Sequence, residues 1–438
     1  MRIAMIGTGY VGLVSGACLS EFGHEVTCID KDAAKIAALK SGKVPIFEPG
    51  LDDVIATNVK AGRLSFSDGL SEAVQRADAV FIAVGTPSRR GDGHADLSYV
   101  FAAAEEIAEN LDGYTVVVTK STVPVGTGRK VEDILCKTNP AADFDVASNP
   151  EFLREGSAIE DFRRPDRVVV GAESERAKAI MKEVYRPLYL NETPILFTSR
   201  ETSELIKYAA NAFLATKITF INEMADICEK VNADVQDVAR GIGLDGRIGG
   251  KFLHAGPGFG GSCFPKDTLA LLKTSQQVGA PTRIVDAVVR VNEERKAQMA
   301  EKIARVLGDV KGKCIAVLGL TFKPNTDDMR DAPSLSIIPS LQEKGATVRA
   351  YDPEGMPEAR KLLKVQFCKN AYEALGGVDV VVILTEWNEF RALDLKRAKA
   401  LMKTPVMIDL RNIYHPAHMA EAGFRYVSVG RPPAEPNG

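Results

Sequence analysis

Gly7-Thr8-Gly9-Tyr10-Val11-Gly12 is the stretch that decides the fold of this chain of 438 residues. The apolar run Ile3-Ala4-Met5-Ile6 precedes it, and His24–Asp30 follows as a second strand that ends in an acid. Strand, glycine turn, helix, strand and terminal acid together form the fingerprint of a dinucleotide-binding βαβ unit. The glycines permit a tight turn, and the free N–H groups at the helix start favour a pyrophosphate.

The acid at the end of the second strand indicates which dinucleotide binds. Asp30 would bind the hydroxyls of the adenosine ribose, where a 2′-phosphate would meet its carboxylate. The sequence therefore predicts NAD rather than NADP, and Lys35 nearby weakens this discrimination a little.

Further apolar strands alternate with helical stretches, which is typical of a parallel sheet covered on both faces. Turn residues follow three of these strands, at Gly85-Thr86-Pro87, Lys120-Ser121-Thr122-Val123-Pro124 and Asn149-Pro150-Glu151. Ligands bind beyond the carboxyl ends of strands in such sheets, so Thr86, Thr122 and Glu151 are predicted near the cofactor. Taken in isolation, Glu151 or Glu155 is better interpreted as a surface charge or as a carboxylate at a helix start.

A long central helix is predicted next, because no glycine or proline occurs from Ser199 to Arg240 and apolar residues repeat at helical spacing. Lys207 and Asn211 lie four residues apart and so share a face. This pair, set among alanines, is more typical of a polar site than of a solvated surface. The helix carries more apolar surface than one domain needs, which predicts a homodimer or a higher homo-oligomer.

A glycine-rich loop with one cysteine follows this helix. Four of the six residues from Gly256 to Gly261 are glycine, which leaves room for a ligand close to the backbone. Lys266 and Asp267 follow Cys263, and nearby positive charge supports a reactive thiolate. Taken alone, Cys263 is more typical of a small buried apolar residue. The dinucleotide site, the carboxylate motif and the Lys/Asn helix together favour a nucleophile.

A second α/β unit begins near Lys313. Its first strand is followed by Gly319-Leu320-Thr321-Phe322-Lys323-Pro324 instead of the glycine fingerprint, so we expect a different ligand, with Lys323 as a candidate phosphate contact. The pattern before this unit predicts one helical stretch from about Thr268 to Leu307. The proline-rich tail from Arg431 is predicted to be disordered.

The predicted fold class is α/β, with two Rossmann-like doubly wound domains joined by a long central helix. The predicted parts are an NAD-binding domain (1–198), a central helical dimerisation domain with the cysteine loop (199–300) and a C-terminal Rossmann-like domain (301–438).

Composition narrows the classes of partner and compartment. A formal net charge of -3 argues against nucleic acid or an anionic membrane as the main partner. The 7 cysteines are scattered and contain no Cys-x-x-Cys pair, which predicts a reducing cytoplasm and no metal. No apolar run approaches the roughly 20 residues that span a bilayer, and we predict no signal peptide.

Six motifs in order resemble the UDP-glucose/GDP-mannose dehydrogenase family over nearly the whole chain. The motifs are Gly7–Gly12, Lys120–Pro124, Asn149–Gly156, Lys207–Ala212, Gly258–Asp267 and Gly319–Lys323. The resemblance implies that the C6 hydroxyl of UDP-glucose is oxidised to a carboxylate, and that two NAD+ and one water are consumed.

The resemblance also implies a role for each site residue. Cys263 would form a thiohemiacetal and then a thioester, and Glu151 would help activate the water that hydrolyses it. Lys207 would stabilise oxyanion character at C6, and Asn211 would position the sugar. Asp267 would act with Thr122 to position water and assist proton transfer.

The remaining assignments concern binding. The cofactor residues implied are Gly7, Gly9, Tyr10, Val11, Gly12, Asp30, Lys35, Thr86, Pro87, Thr122, Glu155, Lys266 and Arg330. The substrate residues implied are Phe152, Leu153, Glu155, Lys207, Asn211, Arg247, Phe252, His254, Phe259, Gly260, Phe322 and Lys323. Arg247 is a candidate to reach the site from a second subunit.

Two other functions fit the same motifs. Dehydrogenases of GDP-mannose or of UDP-N-acetylhexosamines share the cofactor and the cysteine chemistry. The segment Lys207–Ala212 resembles the UDP-glucose branch, whereas the cysteine loop is less decisive. A non-catalytic protein that binds nucleotide sugars would be expected to lack one of Cys263, Lys207 and Asp267, and all three are present.

Overall fold

The computed structural model describes residues 1–87 and 94–436, and these residues form two compact units. The first unit contains the described part of residues 1–210 together with residues 269–280. The second contains the described part of residues 211–268 and 281–438. The division into three domains that the sequence suggested stays a prediction.

The first unit is built on a sheet of eight strands. In chain order these are β1 (Arg2–Ile6), β2 (Glu25–Ile29), β3 (Leu64–Ser67), β4 (Ala79–Ile82), β5 (Thr115–Thr119), β6 (Phe144–Ser148), β7 (Val168–Gly171) and β8 (Ile195–Thr198). They lie in the order β3-β2-β1-β4-β5-β6-β7-β8. Among the described strand pairs of this sheet, only β6 and β7 are antiparallel. The first six positions follow the strand order of the doubly wound dinucleotide-binding fold.

Helices cover both faces of this sheet. They are α1 (Tyr10–Glu21), α2 (Ala33–Lys40), α3 (Leu51–Lys60), α4 (Ser71–Gln75), α5 (Ser98–Glu109), α6 (Thr127–Thr138), α7 (Ala158–Arg163), α8 (Glu175–Val184) and a 3-10 helix (Arg186–Asn191). Successive side chains of a strand enter opposite cores: Met5 lies in one cluster, and Ala4 and Ile6 lie in the other. Burial on both faces is why these strands are continuously apolar.

The predicted central helix is present and is followed by a shorter one. Helix α9 (Arg200–Val231) begins after Ser199, whose Oγ accepts a hydrogen bond from the Thr202 N–H at 3.2 Å. It ends where Asn232 adopts a φ of +57°, and Asp234 then caps helix α10 (Val235–Gly243).

The prediction of one continuous helical stretch from Thr268 to Leu307 is wrong. The structure has two helices there, α11 (Phe264–Gln277) and α12 (Arg283–Leu307). Gly279 has a φ of +72° between them, and Pro281 follows. A left-handed glycine ends one helix, and the proline cannot continue it.

The second unit contains a sheet of six parallel strands. In chain order these are β9 (Cys314–Leu318), β10 (Thr347–Tyr351), β11 (Gln366–Phe367), β12 (Val380–Ile383), β13 (Val406–Asp409) and β14 (Arg425–Ser428). They lie in the order β11-β10-β9-β12-β13-β14, which repeats the doubly wound arrangement. The helices are α13 (Ser334–Glu343), α14 (Met356–Leu362), α15 (Ala371–Leu375), α16 (Asn388–Arg391), α17 (Leu395–Leu401) and α18 (Pro416–Glu421). The predicted fold class is thereby confirmed.

The C-terminal tail is ordered as far as it is described, so the prediction of disorder from Arg431 is wrong. The Arg431 side chain is buried and donates to the Tyr426 hydroxyl at 2.8 Å. Ala434 pairs with Tyr426 through two backbone hydrogen bonds. Among the described residues, no helix is both long enough and apolar enough to cross a membrane.

Candidate active site

The glycine turn lies between β1 and α1. Gly7 has a φ of +103°, and a Cβ there would lie 2.6 Å from the Ala83 carbonyl oxygen, so a side chain is excluded. A Cβ at Gly12 would lie 2.0 Å from the Gly7 carbonyl oxygen. Gly9, at the start of α1, faces open space as far as the described residues extend. An open backbone at a helix N-terminus fits the pyrophosphate of a dinucleotide.

The Asp30 carboxylate lies directly beside this turn. Its Oδ2 accepts hydrogen bonds from the Thr8 N–H at 2.9 Å and from Thr8 Oγ1 at 2.7 Å. Lys35 Nζ lies 3.5 Å from the same oxygen. Burial alone would raise the pKa of Asp30, but the hydrogen bonds from Thr8 and Asp32 and the charge of Lys35 together lower it. Asp30 is therefore a fixed anion at the edge of the turn.

The loops after β4 and β5 are tied together. Thr86 Oγ1 donates to the Thr122 carbonyl oxygen at 3.0 Å, and Ser121 Oγ donates to the Val84 carbonyl oxygen at 2.7 Å. Pro87 is exposed and accepts a backbone hydrogen bond from Asp96. Thr86 and Thr122, which the sequence placed near the cofactor, are thus neighbours.

Glu151 and Lys207 form a buried ion pair in the first unit. Lys207 Nζ lies 3.4 Å from Glu151 Oε1, and the two side chains are 4% and 5% exposed. The Leu153 N–H donates to Glu151 Oε2 at 2.6 Å, and Lys207 Nζ lies 5.2 Å from the centre of the Phe152 ring. Glu151 is therefore not a surface carboxylate. Burying two charges costs desolvation free energy, and both residues of this pair belong to the predicted site.

A second buried lysine, Lys120, lies in the same unit. Its Nζ donates to Asn149 Oδ1 at 3.1 Å and to the Tyr185 hydroxyl at 3.2 Å. Burial lowers the pKa of Lys120 to about 8, with the charge of Glu151 opposing this shift and that of Lys207 adding to it. The motif that contains Lys120 was recognised in the sequence, but no role was predicted for the lysine.

Glu48 connects the glycine turn to the Glu155 segment, and no motif in the sequence singled it out. Its carboxylate accepts hydrogen bonds from the Tyr10 hydroxyl, from the Gly156 N–H at 2.6 Å and from the Ala158 N–H at 2.7 Å. Burial, the hydrogen bond to Glu48 and the charges of Glu48 and Glu155 raise the pKa of Tyr10 far above its usual value. Tyr10, a predicted cofactor residue, is therefore neutral and fixed.

Cys263 lies in the second unit at the start of α11. It is partly exposed, its Sγ lies 3.5 Å from Ser262 Oγ, and its carbonyl oxygen accepts the Asp267 N–H at 2.8 Å. A partly exposed thiol at a helix N-terminus is better placed for reaction than a buried one. The interpretation of Cys263 as a buried apolar residue is therefore wrong.

The Asp267 carboxylate is 1% exposed and lies between two donors. Asn211 Nδ2 donates to Oδ2 at 2.6 Å, and Lys266 Nζ lies 2.7 Å from Oδ1. The structure thus brings together three residues that were predicted separately from the helix and from the loop. Both oxygens of Asp267 are fixed by these contacts.

The glycines of the cysteine loop pack against their own unit. A Cβ at Gly260 would lie 2.3 Å from the Asp331 carbonyl oxygen, and one at Gly261 would lie 2.7 Å from the Phe322 ring. Asn292 Oδ1 accepts the Phe259 N–H at 2.8 Å, and its Nδ2 donates to the Phe259 carbonyl oxygen at 3.0 Å. The loop is therefore held rigidly, for a reason that the sequence did not show.

Other predicted substrate residues surround this loop or lie on the surface of the second unit. Phe252 has a φ of +66°, which is unusual for a bulky residue, and its ring lies 6.1 Å from that of Phe264. Lys323 Nζ lies 5.3 Å from the Phe322 ring.

The remaining predicted residues of this unit are exposed. Arg247 pairs with Asp245 at 2.5 Å, and Arg330 pairs with Asp328 at 2.8 Å. His254 is exposed as well.

Comparison with known proteins places each part of the chain. Residues 1–189 match the NAD binding domain of the UDP-glucose/GDP-mannose dehydrogenase family, residues 201–294 match its central domain and residues 316–416 match its UDP binding domain. The prediction of NAD as cofactor is thereby confirmed.

Whole-chain relatives agree with these matches. A UDP-glucose 6-dehydrogenase of Rhizobium meliloti (strain 1021) is 66% identical over 436 residues, which cover 99% of this chain and 100% of that protein. The UDP-glucose dehydrogenase structure from Pyrobaculum islandicum is 39% identical, with a TM-score of 0.91 and 98% of both chains covered. The UDP-D-ManNAc dehydrogenase structure from Pyrococcus horikoshii is 28% identical, with a TM-score of 0.86, covering 98% of this chain and 99% of that one. The resemblance seen in the six motifs is confirmed, and this chain belongs to the UDP-glucose/GDP-mannose dehydrogenase family.

Proposed function

We propose that this protein is an NAD-dependent UDP-glucose 6-dehydrogenase that oxidises C6 of UDP-glucose to the carboxylate of UDP-glucuronate. The observation that carries the proposal is 66% identity, over almost the whole of both chains, to an enzyme of that name. The chain also has a thiol, a buried Lys–Glu pair and a fixed carboxylate, which this chemistry needs.

The first oxidation produces an aldehyde and the second a thioester. NAD+, when bound, accepts the hydride that leaves C6 in each oxidation. Cys263 adds to the aldehyde carbon as a thiolate, so a C–S bond forms and the carbonyl oxygen takes up a proton as a thiohemiacetal. Loss of the C6 hydride and the hydroxyl proton then leaves a thioester on Cys263.

Water finishes the reaction. Glu151 accepts a proton from the water that attacks the thioester, the C–S bond breaks, and the thiol of Cys263 is restored. Lys207 stabilises the negative charge that builds on the C6 oxygen in each addition. The ion pair between Glu151 and Lys207 supports this assignment, because it keeps the carboxylate and the ammonium ready in a buried environment.

Asn211, Asp267 and Thr122 complete the proposed machinery. Asn211 positions the sugar, while Asp267 with Thr122 positions water and assists proton transfer. The 2.6 Å hydrogen bond from Asn211 to Asp267 supports a joint action of these two residues.

Substrate binding is assigned to a larger set of residues. Glu155, Arg247 and Lys323 are proposed to hold the nucleotide sugar, with Arg247 contributed by a second subunit. The other proposed contacts are Phe152, Leu153, Phe252, His254, Phe259, Gly260 and Phe322. Lys266 and Arg330 are proposed as cofactor contacts.

A panel of nucleotide sugars tests the choice of substrate. UDP-glucose, GDP-mannose and UDP-N-acetylmannosamine would be supplied with NAD+, and NADH formation followed for each. We expect UDP-glucose to give the highest kcat/KM. A higher value with either of the other sugars would assign the protein to another branch of the family.

Cofactor preference follows from Asp30. A 2′-phosphate would meet this fixed anion, and such a like-charge contact costs several kcal/mol, so we expect NAD+ to exceed NADP+ in kcat/KM by about 100-fold. The variant Asp30→Asn keeps the shape of the side chain and removes its charge, so it should lower the ratio of kcat/KM for NAD+ to kcat/KM for NADP+. Equal kcat/KM for the two cofactors in the parent would contradict this role.

The exposed face of α9 supports the predicted dimer. Phe213, Phe220 and Ile227 recur every seven residues and are 66%, 46% and 53% exposed. Such a seam is typical of helix pairing between subunits. Light scattering should give the mass of at least two chains. The variant Phe220→Asp should have a mass closer to that of one chain. A parent protein that is monomeric at micromolar concentration would refute the dimer.

A further inference from the structure

Glu48 is a buried carboxylate to which the proposed reaction gives no task. The residue is only 6% exposed, and its side chain accepts hydrogen bonds from the Tyr10 hydroxyl, the Gly156 N–H and the Ala158 N–H. Within the part of the chain that the structure describes, it forms no salt bridge. A buried carboxylate without a cation depends on its hydrogen-bond donors, so these three contacts hold the side chain in place.

The donors come from two segments of the proposed site. Tyr10 is the first residue of α1 and belongs to the glycine turn, where the cofactor is expected. Gly156 is the residue directly after Glu155, a proposed substrate contact. Oε2 of Glu48 accepts both the Tyr10 hydroxyl and the Gly156 N–H. One oxygen atom therefore joins the glycine turn to the segment that carries Glu155.

The backbone of Glu48 is anchored by the apolar core and not by the site. Its carbonyl oxygen accepts the Leu51 N–H at 3.1 Å, and Gly50, with a φ of +81°, precedes helix α3. Leu51 is fully buried in the apolar cluster that also contains Leu13 of α1 and Ile159 of α7. Because three helices share this cluster, Glu48 is a fixed point from which its side chain holds both segments.

Helix capping explains two of the three contacts. The first N–H groups of a helix have no partner within it, and the side chain of Ser157, the residue before α7, makes no capping bond. Glu48 supplies the acceptor for the N–H groups of Gly156 and Ala158, at 2.6 Å and 2.7 Å. The Tyr10 hydroxyl is not part of this cap. The variant Tyr10→Phe would therefore remove the link to the glycine turn and leave both backbone donors in place.

We propose that Glu48 is a positioning residue through which Tyr10 of the glycine turn strengthens the binding of the nucleotide sugar. The inference rests on the proposed function, in which Glu155 contacts that substrate. The Tyr10 hydroxyl holds Oε2 of Glu48 beside the Gly156 N–H, which fixes the backbone directly after Glu155. A segment that is ordered before its ligand arrives binds that ligand more tightly, because less conformational entropy is lost on binding.

The test is the binding of UDP-glucose to the full-length protein in the absence of NAD+. Isothermal titration calorimetry gives the Kd, and we expect Tyr10→Phe to weaken binding about fivefold, since a hydrogen bond to a buried carboxylate is lost. No cofactor is present in this experiment. A tyrosine that served the cofactor alone would therefore leave the Kd unchanged.

The variant Glu48→Gln tests whether Tyr10 acts through the carboxylate. Its amide has one acceptor oxygen instead of two, so it cannot keep all three contacts and should weaken UDP-glucose binding at least as much as Tyr10→Phe. In the double variant, loss of the hydroxyl should add less than about twofold, because residues that act through one contact are not additive. Factors that multiply would show that Tyr10 acts independently of Glu48 and would overturn the inference.

Tyr114→Phe is the matched control. The Tyr114 hydroxyl donates to Asp145 Oδ2 at 2.7 Å, so this variant also loses a hydrogen bond from a tyrosine to a carboxylate of the first unit. Tyr114 directly precedes β5, at the end of the sheet opposite to the loops of the proposed site. The variant should keep the parental Kd for UDP-glucose, whatever its Tm.

Two further results would contradict the inference. An unchanged Kd in Tyr10→Phe would limit Tyr10 to the cofactor, and an equal loss of affinity in Tyr114→Phe would reflect a general loosening of the fold. If Glu48→Gln does not fold, these two variants still decide the matter. A parent that binds GDP-mannose more tightly than UDP-glucose would count against the proposed function instead, and the same variants would then be compared with GDP-mannose.

Discussion

The variant Glu151→Gln should release two NADH per active site in a rapid burst and then turn over about 10²–10⁴-fold more slowly than the parent. In the proposed mechanism both hydride transfers precede hydrolysis, so neither needs Glu151 as a base. The neutral amide cannot accept a proton from water, so the acyl group should remain on Cys263. Rapid-mixing measurements of NADH absorbance give the burst, and intact-mass analysis detects the sugar nucleotide attached to the protein.

The same variant can also reject the role of Glu151. Turnover at the parental rate, or a stalled enzyme that carries no adduct, would show that Glu151 does not serve hydrolysis. Asp267, the other buried carboxylate of the proposed machinery, would then be the next candidate base.

The second large effect is expected for Cys263→Ala. Without the thiol no thioester can form, so the variant should yield no UDP-glucuronate and no second NADH. The protein should fold normally, because Cys263 is partly exposed and outside the apolar cores. Chromatography of the products tests whether UDP-glucuronate is absent, and thermal unfolding tests whether the variant folds normally.

Cys136 provides a matched control for the loss of a cysteine. It is exposed on α6, and Cys136→Ala should leave the rate and the product unchanged. Full UDP-glucuronate formation by Cys263→Ala would rule out the covalent route proposed here.

Most of the strands could be predicted from the sequence because they are short runs of consecutive apolar residues, as in β4 and β12. Strands β3, β11 and β14 carry a weaker signal, and each of them is the last strand at an edge of its sheet. An edge strand packs on fewer neighbours, so its sequence carries a weaker apolar signal. In β3, for example, Leu64 and Phe66 are buried and Ser65 is exposed, and β11 has only two residues.

The candidate site was predictable where chemistry is carried by local motifs. The fingerprint at Gly7, the pair of Lys207 and Asn211, and the Cys263 loop were found because residues a few positions apart share a turn or a helix face. Contacts between distant segments leave no such periodic signal. Glu48, for example, binds the N–H of Gly156 across 108 residues.

The buried lysine shows the same limit. Lys120 was visible within a motif, but its burial and its neutral partners depend on Asn149 and Tyr185, which are distant in sequence. The glycines of the cysteine loop are a related case. Composition indicated that side chains were excluded there, but only the structure shows that Asp331 and Phe322 exclude them at Gly260 and Gly261.

The most direct test of the account is the ratio of NADH formed to UDP-glucose consumed. With NAD+ in excess and UDP-glucose limiting, the reaction should end at two NADH for each UDP-glucose, with UDP-glucuronate as the only sugar nucleotide product. No free aldehyde should accumulate, because in the proposed mechanism Cys263 retains the intermediate between the two oxidations. A ratio of one, with the C6 aldehyde as the final product, would contradict the four-electron mechanism and the role given to Cys263.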